Sequence, residues 1–347
     1  MARAESPLYK EASIPGKGTG CIAVKDIKKG NLVLKELPQL LIEDDFDNLH
    51  KNAIKSFLKM SLQDQKRYMK LSNLYEEDSE NWTEGMREIL NEAMSQTNGM
   101  VFSNISKEKA MKVWGIFKTN TFTNSVYLQM SRFNHSCHPN AEMSCHMDNT
   151  ADVRALRKIN QGEEITICYT NDTSLWSREE RQAELKNVYN FDCNCEGCDA
   201  AEEQIQLENE SIAAFRQELA SVKDRAETVE KMTENQQNEL ELDLLKEKVE
   251  RAKRLSKLGK TIKPIHRGWL LDNIVNPGFK GSCWCIVVSG HQGDDEEEAW
   301  KEEAKWFAKV GLKIARTLYG QDSRLAQMWQ ERYEDPIKAD LKYRHLI

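Results

Sequence analysis

The sequence contains no long apolar run, and it is poor in proline and glycine. Of its 347 residues, 7 are proline and 17 are glycine. A transmembrane helix would need about 18 consecutive apolar residues, and the start of the chain has no apolar segment of the kind found in a secretory signal. With 39% hydrophobic and 30% charged residues, the composition predicts a soluble, globular protein of roughly two domains.

Positive charge is also scarce. The 49 lysine and arginine residues are outnumbered by 56 aspartate and glutamate residues, which gives a formal net charge of -7. A protein that binds nucleic acid needs a clustered cationic surface to neutralise phosphates. We therefore expect no nucleic-acid partner and no membrane partner, and a basic protein or peptide suits the charge better.

The 9 cysteines are odd in number and too few for a disulfide framework in a chain of this length. Without an export signal we expect a reducing compartment, the cytoplasm or the nucleus. Cys193, Cys195 and Cys198 crowd together at a spacing typical of metal ligands in intracellular proteins. Cys283 and Cys285 form an isolated pair, for which buried structural thiols are the better interpretation.

No phosphate-binding motif is complete. Residues 16–20 read GKGTG, which has neither the spacing of a dinucleotide-binding loop nor the serine or threonine of a phosphate loop. Taken alone, this segment is a glycine-rich turn before a strand. The other interpretation is a loop in which glycines let the backbone approach a ligand closely.

Strand-like and helix-like segments alternate along the first half of the chain. Short β-branched and apolar runs at 20–27 and 31–43 predict strands, and strand character returns at 141–169. Between 44 and 118 there is no proline, and the apolar residues have helical spacing. This pattern predicts a helical insert between two β-rich parts.

Beyond residue 200 the apolar residues step by threes and fours, from Ile212 to Val229 and again from Leu242 to Leu255. The polar stretch 233–238 is predicted to turn the chain between these two helices. A packed helical hairpin is the plain interpretation, and a short coiled-coil seam is the alternative. The final stretch, from Trp300 onwards, also has helical spacing.

Three segments are rich in side chains that are suited to hydrogen bonding, catalysis or metal binding rather than to an apolar core. Residues 131–144 read SRFNHSCHPNAEMS, a run of hydrogen-bonding side chains before a strand. Residues 162–169 read GEEITICY, a turn and strand that end in Tyr169. Residues 189–198 read YNFDCNCEGC, in which Tyr189 and Phe191 adjoin the three clustered cysteines.

In these motifs, and in their order, the sequence resembles the SET-domain protein lysine methyltransferases. The opening GKGTG, followed by Gly30, Val33, Glu36 and Pro38, matches the N-terminal signature of that family. The resemblance covers roughly residues 14–40 and 115–200 and is greatest to the SET-and-MYND group. Residues 41–110, however, contain His50 and no cysteine, so the MYND zinc finger of that group is predicted to be absent.

The resemblance implies an α+β fold with a β-rich SET core, a helical insert, a zinc-binding post-SET segment and a C-terminal all-α region. The expected divisions are an N-terminal SET part at 1–43, the insert at 44–114, a C-terminal SET part at 115–175, the post-SET segment at 176–200 and the helical region at 201–347.

The resemblance also implies two cofactors. A Zn²⁺ site would take its fourth ligand from the mid-chain loop, which gives the set Cys137, Cys193, Cys195 and Cys198, and four thiolates suit a closed tetrahedral zinc site. S-adenosylmethionine would be held by Lys17, Gly18, Thr19, Asn120, Asn134, His135 and Phe191. Asn120 in KTNTFT is matched to an Asn-x-Phe strand of the family.

The reaction implied by the resemblance is methyl transfer to a lysine ε-amine of a protein or peptide substrate. Tyr169 would orient the amine through its hydroxyl, Tyr189 would be a wall and hydrogen-bonding group, and Phe122 would be a second wall. The alternative is a catalytically weak SET scaffold that binds proteins through its C-terminal helices. We expect a monomer, and a zinc-dependent nucleic-acid binder is disfavoured by the acidic charge.

Overall fold

A computed structural model supports the α+β prediction, with a β-rich core and a helical C-terminal region. No helix among the described residues has the length and apolar character needed to cross a membrane. The structure describes residues 7–42, 49–75, 105–122, 124–146, 148–170, 175–220, 234–259, 262, 270–289 and 294–343.

The first sheet joins strands from the start of the chain with strands from its middle. Strand β1 (Tyr9–Ile14) forms an antiparallel hairpin with β2 (Gly18–Ala23), and Gly16 and Gly18 adopt positive φ angles of 74° and 71° at the turn. These angles favour glycine because a Cβ is strained there. The sheet order is β1-β2-β9-β6, so that β9 (Glu164–Ile167) lies between the hairpin and the two-residue strand β6 (Asn134–His135).

A second sheet packs beside the first. Its order is β3-β8-β7, with all pairs antiparallel: β3 (Leu32–Glu36), β8 (Ala151–Ala155) and β7 (Ala141–Cys145). A third sheet has two short strands, β4 (Leu40–Leu41) and β5 (Ser125–Val126). They pair antiparallel and flank the insert in the sequence. Apolar side chains of the two larger sheets and of the loops beside them form one core, which includes Ile27, Phe133, Val153, Ile165 and Ile167, each fully buried.

The insert is helical wherever the structure describes it, and residues 43–48 and 76–104 lie outside the described part. Helices α1 (Leu49–Lys59) and α2 (Leu62–Tyr68) pack with α3 (Lys107–Asn120) around Phe57, Tyr68 and Ile116. The side chains of Ser61 and Ser106 cap the first turns of α2 and α3. Helix α3 continues past the predicted boundary at 114, so Asn120 ends a helix, and the prediction that it lies on a strand is wrong.

Helix α4 (Arg178–Tyr189) leads into the cysteine-rich segment. It begins with a capping box, in which the side chains of Ser177 and Glu180 each accept from the other's backbone N–H. It ends at Asn190, whose left-handed conformation (φ 54°) satisfies the αL cap geometry and turns the chain. As a result Tyr189 stands at the end of a rigid helix.

The C-terminal region is all-helical in its described part and has its own core. The predicted turn at 233–238 is wrong, because residues 234–238 form the beginning of a helix. Residues 221–233 lie outside the described part. The core contains Phe215, Phe279, Phe307 and Trp329. The helices are α5 (Glu202–Ala220), α6 (Glu234–Gly259), a π-helical turn (Leu271–Val275), α7 (Asn276–Ser289), α8 (Asp294–Tyr319), α9 (Arg324–Glu334) and α10 (Pro336–Tyr343).

Candidate active site and metal centre

One cavity of about 310 Å³ lies between the β1–β2 turn, the insert and the cysteine-rich segment. It brings together residues that are far apart in the sequence, as the motifs predict. Among the residues predicted to bind the cofactor or to take part in catalysis, Gly18 alone does not line it, although its neighbours on both sides do. The predicted cofactor and catalytic residues in its wall are Lys17, Thr19, Asn120, Phe122, Asn134, His135, Tyr169, Tyr189 and Phe191.

Strands β6 and β9 position the centre of this wall. They run parallel, with Asn134 opposite Thr166 and His135 opposite Ile167. The backbone N–H of Tyr169 donates to Nδ1 of His135 at 3.0 Å, and the Tyr169 hydroxyl donates to the carbonyl oxygen of Phe133 at 2.8 Å. Both ends of Tyr169 are therefore held by the loop that also carries His135.

Four aromatic rings form a continuous group in the cavity wall. The ring centroids of Tyr169 and Tyr189 are 5.2 Å apart, and His135 lies 5.3 Å from Tyr169 and 5.8 Å from Phe191. Burial raises the pKa of Tyr169 above its ordinary value, with a further contribution from Tyr189. Burial also raises the pKa of Tyr189. Both phenols are consequently neutral hydrogen-bonding groups over the physiological range.

A carboxylate that the sequence analysis did not select connects two of the predicted cofactor residues. Glu164 Oε2 lies 3.1 Å from Lys17 Nζ, and Glu164 Oε1 accepts a 2.9 Å hydrogen bond from Asn134 Nδ2. The Asn134 side chain packs closely against Gly20. Any larger residue at position 20 would place its Cβ 2.5 Å from Asn134 Nδ2. Glu164 belongs to the GEEIT motif, but sequence spacing alone did not say which residues it would contact.

Asn120 lines the cavity from the end of α3. Its Nδ2 donates to the carbonyl oxygens of Ser72 at 2.7 Å and Ile116 at 2.8 Å. Both amide hydrogens are therefore used to hold the insert against the cavity, and its Oδ1 is the atom through which it could contact a ligand. Its role as a cofactor residue stays a prediction.

Arg132 and Glu36 are two further residues that the sequence analysis did not assign to the cavity. Arg132 lines the wall, donates to the carbonyl of Lys70 at 3.0 Å and lies 3.7 Å from Glu11. Glu36 is buried and accepts backbone hydrogen bonds from Gln129 and Met130 at 3.0 to 3.1 Å. Glu36 thus holds the chain just before it enters the cavity wall; it belongs to the N-terminal signature, but that signature does not say which backbone groups it contacts.

The four predicted metal ligands meet at one point. The Sγ atoms of Cys137, Cys193, Cys195 and Cys198 all lie within 4.8 Å of one another, and all four residues are buried. Cys137 Sγ is 3.9 Å from Cys193 Sγ and 3.6 Å from Cys198 Sγ. Zn–S bonds of about 2.3 Å in a tetrahedron would separate sulfurs by about 3.8 Å. This donor set fits zinc, and it is the one such cluster among the described residues.

Helix α4 supports the cluster through a side chain that sequence reasoning missed. The Gln182 amide makes a two-way contact with the backbone of Cys193: it donates to the carbonyl at 2.5 Å and accepts from the N–H at 2.8 Å. Because Tyr189 is on the same helix, helix α4 supports both this phenol and the ligand Cys193.

Residues 18–170 match the family model of the SET domain. The chain is 27% identical over 165 residues to the histone-lysine N-methyltransferase SET5 of Meyerozyma guilliermondii, covering 46% of this chain and 33% of that protein. It is 37% identical over 82 residues to the histone-lysine N-methyltransferase SMYD3 of Mus musculus, covering 24% and 18%. It is 25% identical over 225 residues to a putative SET domain-containing protein of Acanthamoeba polyphaga mimivirus, covering 59% and 83%.

Among solved structures, Rubisco LSMT bound to sinefungin and monomethyllysine aligns with a TM-score of 0.38 and 16% identity, over 56% of this chain and 54% of the other. The first of the sequence relatives is matched over only a third of its length. The resemblance therefore rests on the matched domain and its motifs: residues 18–170 match the SET-domain model, and the chain is similar to members of the SET-and-MYND group.

Proposed function

We propose that the chain is an S-adenosylmethionine-dependent protein lysine N-methyltransferase. The observation that carries the proposal is the single cavity in which the Asn134–His135 loop meets the adjacent phenols of Tyr169 and Tyr189. The similarity to the histone-lysine N-methyltransferases SET5 and SMYD3 supports it.

The cavity has groups suited to each part of S-adenosylmethionine. Its volume of about 310 Å³ falls in the range of small-molecule sites. The ammonium of Lys17 suits a carboxylate, the Asn134 amide suits a polar amino-acid end, and the Phe191 ring suits stacking on a base. When bound, S-adenosylmethionine supplies a methyl group on a positively charged sulfur.

A lysine must lose its proton before it can accept a methyl group, and its ordinary pKa is about 10.4. Aromatic walls lower that pKa because they remove water from the ammonium form. The buried phenols of Tyr169 and Tyr189 help by staying neutral, since a phenolate would stabilise the ammonium. The neutral amine would then accept the methyl group that bound S-adenosylmethionine supplies, with the electron pair of the C–S bond left on sulfur and the lysine proton given to water.

The proposed substrate is a lysine in a protein, histone or non-histone, and the proposed site of action is the cytoplasm or the nucleus. The net charge of -7 favours a basic substrate segment. A second candidate function, a SET scaffold for protein binding, is favoured by the separate core of the C-terminal helices.

The test is methyl transfer from labelled S-adenosylmethionine to histones and to proteins of a cell extract. We expect transfer by the wild type and by Tyr333→Phe, a control on the partly exposed surface of α9, and strongly reduced transfer by a Tyr169→Phe, Tyr189→Phe double variant. Wild-type transfer no higher than that of the double variant on every substrate would contradict the enzyme proposal. Cofactor binding by calorimetry without any transfer would favour the scaffold.

A further inference from the structure

A histidine next to a metal ligand packs directly on the backbone of the post-SET segment. His138 follows Cys137, and its side chain is 8% exposed. A Cβ added to Gly197 would lie only 2.2 to 2.4 Å from three atoms of the His138 ring. The ring therefore occupies the space above this glycine, which lies between the ligands Cys195 and Cys198.

The same histidine contacts the C-terminal helical region. His138 Nε2 lies 2.9 Å from Oε2 of Glu208, a residue of helix α5. The other oxygen of Glu208 lies 3.2 Å from the guanidinium of Arg181, on helix α4. Glu208 is thus shared between the loop of Cys137 and the helix that precedes the other three ligands.

Arg181 is placed to balance charge at the cysteine cluster. Its side chain is only 2% exposed, and it donates to the Trp176 carbonyl at 2.7 Å. The thiols of Cys137 and Cys198 and the carboxylate of Glu208 all lie close enough to interact electrostatically with its guanidinium. Four thiolates around one Zn²⁺ carry a formal charge of about minus two, so a buried guanidinium facing them is stabilising.

We propose that Arg181, Glu208 and His138 are positioning residues of the cysteine cluster, through which zinc binding and the docking of helix α5 stabilise each other. The physical reason is that groups around metal ligands fix the ligands' orientation and charge. Loss of the metal would release the Cys137 loop and the post-SET segment. His138 and Arg181 would then no longer be held next to Glu208. This inference depends on zinc in the cluster and not on methyl transfer.

The first test measures zinc release from the full-length, zinc-loaded protein to an excess of a coloured chelator. We expect Glu208→Gln to release zinc roughly tenfold to a hundredfold faster than the wild type. The matched control is Glu210→Gln on the exposed face of α5, where Gln206 donates to the side chain and a glutamine can still accept. Equal release rates for Glu208→Gln and Glu210→Gln would overturn the proposal, as would a wild type that binds no zinc.

A double-mutant cycle tests the packing contact. Gly197→Ala should accelerate zinc release strongly when His138 is present, and much less in a His138→Ala background, because the smaller side chain leaves room for the added methyl group. Equal effects of Gly197→Ala in both backgrounds would overturn the role of His138. This comparison stays informative even if one single variant is less stable.

The coupling to α5 is tested by hydrogen exchange on the wild type with and without zinc. We expect chelation to increase exchange in residues 202–220, most of all around Glu208, and to leave helices α8 and α9 unchanged, since α5 joins the core of those helices only from Ile212 onward. Unchanged exchange in 202–220 would overturn the coupling. Neither readout uses methyl transfer, so failure of this inference is distinguishable from failure of the proposed enzyme activity.

Discussion

The side chains of Asn134 and Glu164 meet across the parallel pair of strands β6 and β9, where Asn134 Nδ2 donates to Glu164 Oε1 at 2.9 Å. The other carboxylate oxygen of Glu164 lies 3.1 Å from Lys17 Nζ. One carboxylate therefore orients both a cation and an amide that face the cavity. A preoriented pair loses less conformational entropy when a ligand binds.

We expect Glu164→Gln to weaken binding of S-adenosylmethionine, because a glutamine can accept from Asn134 but cannot hold the ammonium of Lys17 by charge. Lys17→Met should weaken binding by roughly tenfold or more, the typical contribution of a hydrogen bond to a charged group. Isothermal titration calorimetry measures both. Lys10→Met, an exposed lysine on the same hairpin, is the control, and affinities of the Lys17 and Lys10 variants that match would contradict this prediction.

We expect Tyr169→Phe to lower kcat at least tenfold while it costs only about 1 kcal/mol of stability, the usual contribution of one buried hydrogen bond. The hydroxyl lost is the one that donates to the Phe133 carbonyl at 2.8 Å. Steady-state kinetics and thermal unfolding measure the two effects separately. An unchanged kcat, or a loss of activity explained wholly by unfolding, would show that the hydroxyl has a structural role only.

The pH dependence of kcat/KM should rise as the substrate lysine loses its proton and should show no descending limb near pH 10 from either phenol. Burial raises the pKa of Tyr169 and of Tyr189, so both keep their protons beyond the ordinary tyrosine pKa of about 10. The profile is measured with circular dichroism at each pH as a check on folding. A fall centred near pH 10 that disappears in Tyr189→Phe would refute the assignment.

Cys195→Ser should abolish zinc binding, lower the Tm by several degrees and abolish methyl transfer, because a structural zinc site contributes directly to folding. Phe191 and Cys193, which line the cavity, would lose their fixed positions. Metal analysis and thermal unfolding measure the outcome. Cys145→Ser, at an exposed cysteine outside the cluster, is the control, and an equal zinc content in both variants would contradict the ligand assignment.

Several features of the protein can be predicted from short sequence patterns, because these patterns reflect interactions between residues that are close in the chain. The spacing of Cys193, Cys195 and Cys198 indicated metal ligation because such spacing brings thiols together in a short turn, and the threefold and fourfold steps beyond residue 200 indicated helices. The predicted turn at 233–238 was wrong because polar composition is compatible with an exposed helix as well as with a turn. Asn120 was misplaced because a three-residue match carries no information about where helix α3 ends.

The sequence by itself determined the chemistry present in this protein: the SET motifs, the thiols, the two tyrosines and the amphipathic helices, because each is encoded by spacing within a few residues. Only the tertiary structure decided which distant groups meet. Lys17 meets Glu164 over 147 residues of sequence, and His138 meets Glu208 on a helix of the next region. Such contacts follow from strand register and helix packing, which depend on the whole core and have no local sequence signal.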